Sequence, residues 1–209
     1  IAAIYALSIA NGSTVFDAAG QFSDEAEFII ASLHLDRERL PSPAIIRQRM
    51  DLLAQHTAML CPELALASLE MLFGYNMMPT ALPDGRVPLD WDVSPFDNSR
   101  TKKEGVNRTY KGYDGYAPML VYIGLEGYLI EAELREGKHH SQKGTTALMQ
   151  RVLERALHLT TNRLLVRMDS GNDSTDNLAV MLSRISMGQP IDFIIKRNLR
   201  KESLDDWYN

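Results

Sequence analysis

Around residue 80 the apolar residues stop recurring every three or four positions and begin to recur every two, so helix gives way to sheet. Upstream, Ser23 and Asp24 precede an amphipathic run carrying Phe28, Ile29, Leu33 and Leu35, with Glu27 placed to complete a capping box from Asp24. Leu40-Pro41-Ser42-Pro43 breaks the chain and restarts it, Ser42 as the N-cap and Pro43 at the first helical position. Ile45, Ile46, Met50, Leu53 and Ala54 follow at helical spacing, and a further helix is predicted from Pro62 to Phe73, stopped by Gly74. The apolar opening, Ile1 to Ala10, lacks the basic residues that begin a secretory signal and is read as a packed helix. Met77 to Gly85, with Pro79 and Pro83, reads as a linker. The expected organisation is a helical region over 1–80 and a second domain over 81–209.

In that second domain Val87, Leu89, Trp91 and Val93 alternate with Pro88, Asp90, Asp92 and Ser94, a strand with two unlike faces. A polar loop is expected from Pro95 to Gly115, then a nearly continuous apolar strand over Tyr116–Gly124. Gly124-Leu125-Glu126-Gly127 reads as a hairpin turn into a third strand carrying Tyr128, Ile130, Ala132 and Leu134. A helix from Thr145 to Leu159, a strand over Leu164–Asp169, a helix with Leu178, Leu182 and Ile185 capped by Asp173 or Ser174, and a strand over Ile191–Ile195 complete the order. The predicted fold class is α/β, β-β-β-α-β-α-β: a three-strand meander followed by βαβ units in one mixed sheet, the ribonuclease-H-like arrangement.

Composition narrows the function classes. The chain has 209 residues and a net charge of −5. The charge is uneven: residues 1–86 hold 10 acids, 5 arginines and no lysine, whereas residues 87–209 hold 17 acids and 17 bases. Arg100, Lys102, Lys103, Arg108 and Lys111 have only Glu104 as a nearby acid, which suits a phosphate backbone or a solvated loop. Tyr110, Tyr113 and Tyr116 are interleaved with these cations, as rings that stack on unpaired bases would be. Cys61 is the single cysteine, which excludes an internal disulfide and a cysteine-based zinc cluster and fits a reducing, cytoplasmic setting. No apolar stretch is long enough for a membrane span. No P-loop and no GxGxxG occurs.

The acids carry the chemistry. If the first and fourth strands are neighbours, Asp92 and Asp169 converge. Two such carboxylates repel unless a cation or proton lies between them, and hard oxygen donors suit Mg²⁺ or Mn²⁺. The plainer alternative for Asp169-Ser170-Gly171-Asn172-Asp173 is a turn that feeds a helix cap. By strand pattern Asp90 and Asp92 point the same way. His139-His140, between a strand and a helix, is either a surface turn or a pair that approaches a metal or phosphate.

Four blocks add a resemblance. Leu89-Asp90-Trp91-Asp92-Val93-Ser94-Pro95-Phe96-Asp97-Asn98-Ser99 resembles the first-aspartate block of bacterial insertion-sequence transposases of the DDE type. Lys102 to Leu120 looks like the basic Gly/Tyr loop of one DDE subgroup, and Glu133-Leu134-Arg135-Glu136-Gly137 with His140-Ser141 like its third-strand exit. Leu165-Val166-Arg167-Met168-Asp169-Ser170-Gly171 is similar to its second-aspartate block. The resemblance covers about residues 87–201 and, more loosely, the helical part.

The resemblance implies a DNA transposase that cuts at the ends of a mobile element and joins them to target DNA by two-metal phosphoryl transfer. It makes Asp92 and Asp169 the metal ligands for two Mg²⁺ or Mn²⁺ ions, Asp92 being preferred to Asp90 because a hydroxyl residue, Ser94, follows it. Asp90 and Asp97 are then supporting acids, and Arg100, Lys102, Lys103, Arg108, Lys111, Arg200 and Lys201 contact DNA. Implied partners are terminal-repeat and target DNA and a second copy of the chain, in a bacterial, nucleoid-associated setting. The family's third acid, a glutamate in Tyr-x2-Arg-x3-Glu-x6-Lys, has no match here, so it is expected beyond residue 209; Glu202 is the weaker candidate. Two alternatives belong beside this one: another nuclease on the same fold, and a DNA-binding or assembly protein derived from a transposase with an incomplete set of acids.

Overall fold

The computed structural model describes residues 12–32, 34, 36, 38–53, 67, 70, 74, 77–199 and 202–208. The chain divides into two compact units, Ile1–Cys61 and Pro62–Asn209. The expected helix over Ile1–Ala10 and most of that over Pro62–Phe73 lie outside the described residues; Ala67 and Glu70 are helical, and so is Gly74, the expected stop. No helix among the described residues is long and apolar enough to cross a membrane.

The first unit holds helices α1 (Val15–Gln21) and α2 (Ala26–Ser32) and a helical stretch, α3, over 43–53. Thr14 caps α1: its hydroxyl accepts from the Asp17 N–H and donates to the Asp17 carboxylate. Ser42 accepts from the Ile45 N–H at 3.4 Å, the expected cap of α3. The small core is Ala19 and Ile46, with Phe16, Phe22, Leu40 and Met50 against it. The predicted start of α2 differs, because residues 22–25 form a turn and the helix begins after it. Its buried residue is Ile29, whereas Phe28 is 72% exposed.

The second unit is α/β, built on a mixed five-stranded sheet in the order β6-β5-β1-β7-β8. Its strands are β1 (Val87–Val93), β5 (Met119–Ile123), β6 (Tyr128–Glu133), β7 (Leu164–Met168) and β8 (Ile191–Ile195). Helix α4 (Thr145–Leu159) joins β6 to β7, and α5 (Thr175–Ser186) joins β7 to β8. β1 is central, antiparallel to β5 and parallel to β7. In register, Ile123, Leu89, Val166 and Phe193 form one row across the sheet, and Val121, Trp91, Met168 and Ile195 the next. These rows form one core with Leu148, Met149, Val152, Leu153, Ala156 and Leu159 of α4 and Met181 of α5. The strands' period of two therefore sends Asp90, Asp92 and Arg167 to the other face.

Three expectations need correction. Tyr116–Gly124 is not one strand: β4 (Asp114–Tyr116) ends before Pro118, whose ring nitrogen has no hydrogen for the ladder, and β5 starts after it. The expected loop from Pro95 contains β2 (Phe96–Asp97) and β3 (Asn107–Arg108), which flank β4 in a second small sheet, β2-β4-β3. In β6 a bulge skips Ile130 between the pairs Tyr122↔Leu129 and Val121↔Glu131. That extra residue reverses the faces, so Glu131 and Glu133 take the side predicted for Ala132 and Leu134, and Leu134 is 67% exposed.

On α5 the buried residues are Asn177 and Met181, while Leu182 and Ile185 are exposed. Ser174, not Asp173, caps it through the Asn177 N–H.

Candidate metal centre

The register of β1 against β7 brings the two aspartates together. The ladder pairs Asp90 with Arg167 and Trp91 with Met168. Asp169, next in the chain, is extended (φ −74°, ψ 175°), so it continues the strand direction beside Asp92. Neighbouring strands lie about 4.8 Å apart, and residues side by side on a parallel pair share a face. Asp90 and Arg167 show which face, because their side chains meet in a two-pronged ion pair, both contacts at 2.5 Å. Two residues further on, Asp92 and Asp169 project to that same side.

Neutral donors orient both carboxylates. Ser94 donates its hydroxyl to Asp92 Oδ2 at 2.7 Å. Asp169 Oδ1 accepts from the Gly171 N–H at 3.1 Å and from the Asn172 amide at 2.9 Å. Neither aspartate makes an ion pair among the described residues. Asp90, by contrast, is occupied by Arg167, whose pKa is raised, first by that hydrogen bond. Of the two β1 acids, Asp92 is therefore the one available to a cation.

The turn beneath Asp169 is pinned from several elements. Ser141 donates to the Gly171 carbonyl at 2.5 Å, Gln142 to the Asp173 carbonyl at 2.9 Å, and Asn177 to the Asn172 carbonyl at 2.8 Å. The buried Asp173 carboxylate accepts from Arg197 Nη1 and from the Asn198 N–H, both at 2.9 Å, tying the chain after β8 to this turn. A Cβ on Gly171 would lie 2.8 Å from Ser141 Oγ and 3.2 Å from Asp169 Oδ1, so a larger residue here would have to displace Ser141.

Tyr110 stands at the end of β1, its hydroxyl donating to the Val93 carbonyl at 3.3 Å and its ring 68% exposed. Burial, then the negative field of Asp92 and Asp169, pushes its phenol pKa up. A cleft of about 280 Å³ opens beside Asp169, with Tyr110, His139, His140, Ser141 and Asn198 in its lining.

The remaining predicted residues fall in different places. Asp97 closes a turn by accepting from the Ser99 N–H and hydroxyl, and those bonds lower its pKa. Arg100, Lys102 and Lys103 are exposed between β2 and β3. Arg108 lies on β3 with Asp114 at 3.8 Å, and Lys111 Nζ sits 5.7 Å from the centre of the Tyr110 ring. Arg200 and Lys201 lie outside the described residues. Glu202 is exposed and contacts Arg197 at 3.4 Å. Tyr113 and Tyr116 are committed to the small sheet, donating to the carbonyls of Pro95 and Glu104.

No family model matches this chain, and no curated protein does. The chemistry of the site therefore rests on its own donors. Two carboxylates side by side, each with neutral partners only, form an oxygen-donor pair that fits a hard divalent cation. Among the described residues no group of three or more His, Cys, Asp or Glu is assembled for a metal.

Sequence reasoning missed Asn172, Asn177 and the Arg167–Asp90 pair. The period-two placement of Arg167 and Asp90 on adjoining strands was the available signal for the last of these.

Proposed function

We propose that the chain is the core of a DDE-type DNA transposase that cleaves DNA at the ends of a mobile element and joins them to target DNA. The single observation that carries this is the register of β1 against β7, with Trp91 beside Met168, which by the strand period sets Asp92 and Asp169 next to each other on the exposed face. The strand order supports it: an antiparallel meander on one side of β1 and parallel strands on the other is the order of a ribonuclease-H-like core. The four blocks of family resemblance, read in the sequence, supply the polynucleotidyl-transferase activity that a fold by itself does not specify.

Asp92 and Asp169 would hold the divalent ions, Mg²⁺ or Mn²⁺. When bound, such a pair supplies Lewis-acid activation of the attacking hydroxyl and neutralises charge at the leaving oxygen of a phosphodiester. The protein's own part is orientation. Ser94 fixes the Asp92 carboxylate, Asn172 and the Gly171 N–H fix that of Asp169, and Arg167 keeps Asp90 from competing for the cation. The exposed Arg100, Lys102 and Lys103 offer phosphate contacts that position the duplex.

Asp92→Ala and Asp169→Ala, each in the full-length protein that carries the expected third acid, should reduce metal-dependent cleavage of DNA carrying the element's ends to background. Cleavage at the wild-type rate by either variant contradicts the assignment of that residue.

A further inference from the structure

The cleft beside Asp169 has a wall that the metal chemistry leaves unused: the segment between β6 and α4, from which His139 and His140 line it, with Lys143 against His139. Each imidazole is held in one tautomer by its neighbour. Lys143 Nζ lies 3.1 Å from His139 Nε2. An ammonium can only donate, so Nε2 accepts and the hydrogen of the neutral ring sits on Nδ1. In His140 the roles are reversed, because Nδ1 accepts from the Gln142 N–H at 3.3 Å and leaves the ring hydrogen on Nε2.

The competing groups in this segment are already engaged. The Ser141 hydroxyl is spent on the Gly171 carbonyl. Glu136, the acid of the segment, is paired with Lys138 at 3.1 Å and also lies within the electrostatic reach of His139 and Lys143. What remains at the cleft is the ring N–H of each histidine, with the Lys143 ammonium beside His139. The same cleft carries Asp169, so donors for an anion and a carboxylate for a cation share one opening. A phosphodiester with its divalent counter-ion presents both complements.

We propose that His139 and His140, with Lys143 beside His139, form an anion subsite that binds a phosphate of the nucleic-acid strand next to the one held at Asp92 and Asp169. The assignment deepens the function proposed above and rests on it. The histidines would be positioning residues that act through N–H donors, not proton-transfer groups.

Thymidine 3′,5′-bisphosphate is a suitable probe, titrated calorimetrically into the full chain with and without Mg²⁺. His139→Ala and His140→Ala should each weaken its binding about tenfold, the loss of one charge-assisted hydrogen bond. His139→Asn and His140→Gln each keep an N–H where the native tautomer has one, and should bind within about threefold of wild type. Mn²⁺ affinity should be unchanged in all four, and circular dichroism confirms that each is folded. Wild-type affinity in both alanine variants overturns the proposal. So does an Asn or Gln variant that binds no better than its alanine counterpart, or a wild-type protein that does not bind the bisphosphate. Failure of the carboxylate site reads out separately, as Mn²⁺ binding that Asp92→Ala and Asp169→Ala leave intact.

Discussion

Asn172 is fully buried, and its side-chain amide donates to Asp169 while its carbonyl accepts from Asn177. Its own Oδ1 has no hydrogen-bond partner among the described residues. Asn172→Ala removes the donor that aims Asp169. The expected result is a loss of about 1–3 kcal/mol in stability together with a severalfold weaker Mn²⁺ affinity, measured by denaturant titration and by Mn²⁺ binding. Lower stability with unchanged Mn²⁺ affinity would limit Asn172 to a structural part. At this scale the sequence is partly legible. Asp92 stands out because alternation along β1 separates it from Leu89 and Trp91, and Asp169 because it ends an apolar strand. Asn172 does not stand out, since Ser170-Gly171-Asn172 reads equally well as an ordinary turn. The Arg167–Asp90 pair becomes visible only when the strand register is known.

Among the elements, the bulge in β6 has the largest consequence. By turning Glu131 and Glu133 toward α4 it creates a need for cations on that helix, met by Arg151 and Arg155. Arg155 is buried and donates from Nη1 both to the freed Ile130 carbonyl at 2.7 Å and to Glu131 at 3.1 Å. Arg155→Ala leaves a buried carboxylate with only the more distant Arg151. It should destabilise the protein by about 3 kcal/mol, read as a lower midpoint in urea; a change under about 0.5 kcal/mol would show that the network contributes nothing. The long elements were legible: α4, β7 and β8 follow the expected bounds closely, because their apolar spacing is sustained. The small sheet was not. Strands of two and three residues carry no periodicity, and what holds them is remote, such as Tyr113 to Pro95 and Tyr116 to Glu104. The bulge was equally hidden, since an inserted residue leaves the alternation around it intact on either side.

Across the whole second unit, charge and topology divide the labour. One sheet face is closed by α4 and α5 over a single apolar core, and the other carries the acids. On the function proposed above, the exposed cations between β2 and β4 would give this acidic protein a local surface for an anionic polymer. Replacing Lys102, Lys103 and Arg108 together by Gln should lower the slope of log K against log[salt] for duplex DNA by about 2–3; an unchanged slope means that this loop does not touch phosphate. The central claim is that Asp92 and Asp169 share divalent ions, and Mn²⁺ titration followed by electron paramagnetic resonance tests it most directly. Wild type and the control Asp84→Ala, altered in a remote turn, should bind Mn²⁺ alike, with Asp92→Ala and Asp169→Ala each weakened by about tenfold or more. Wild-type Mn²⁺ affinity in both aspartate variants would contradict it.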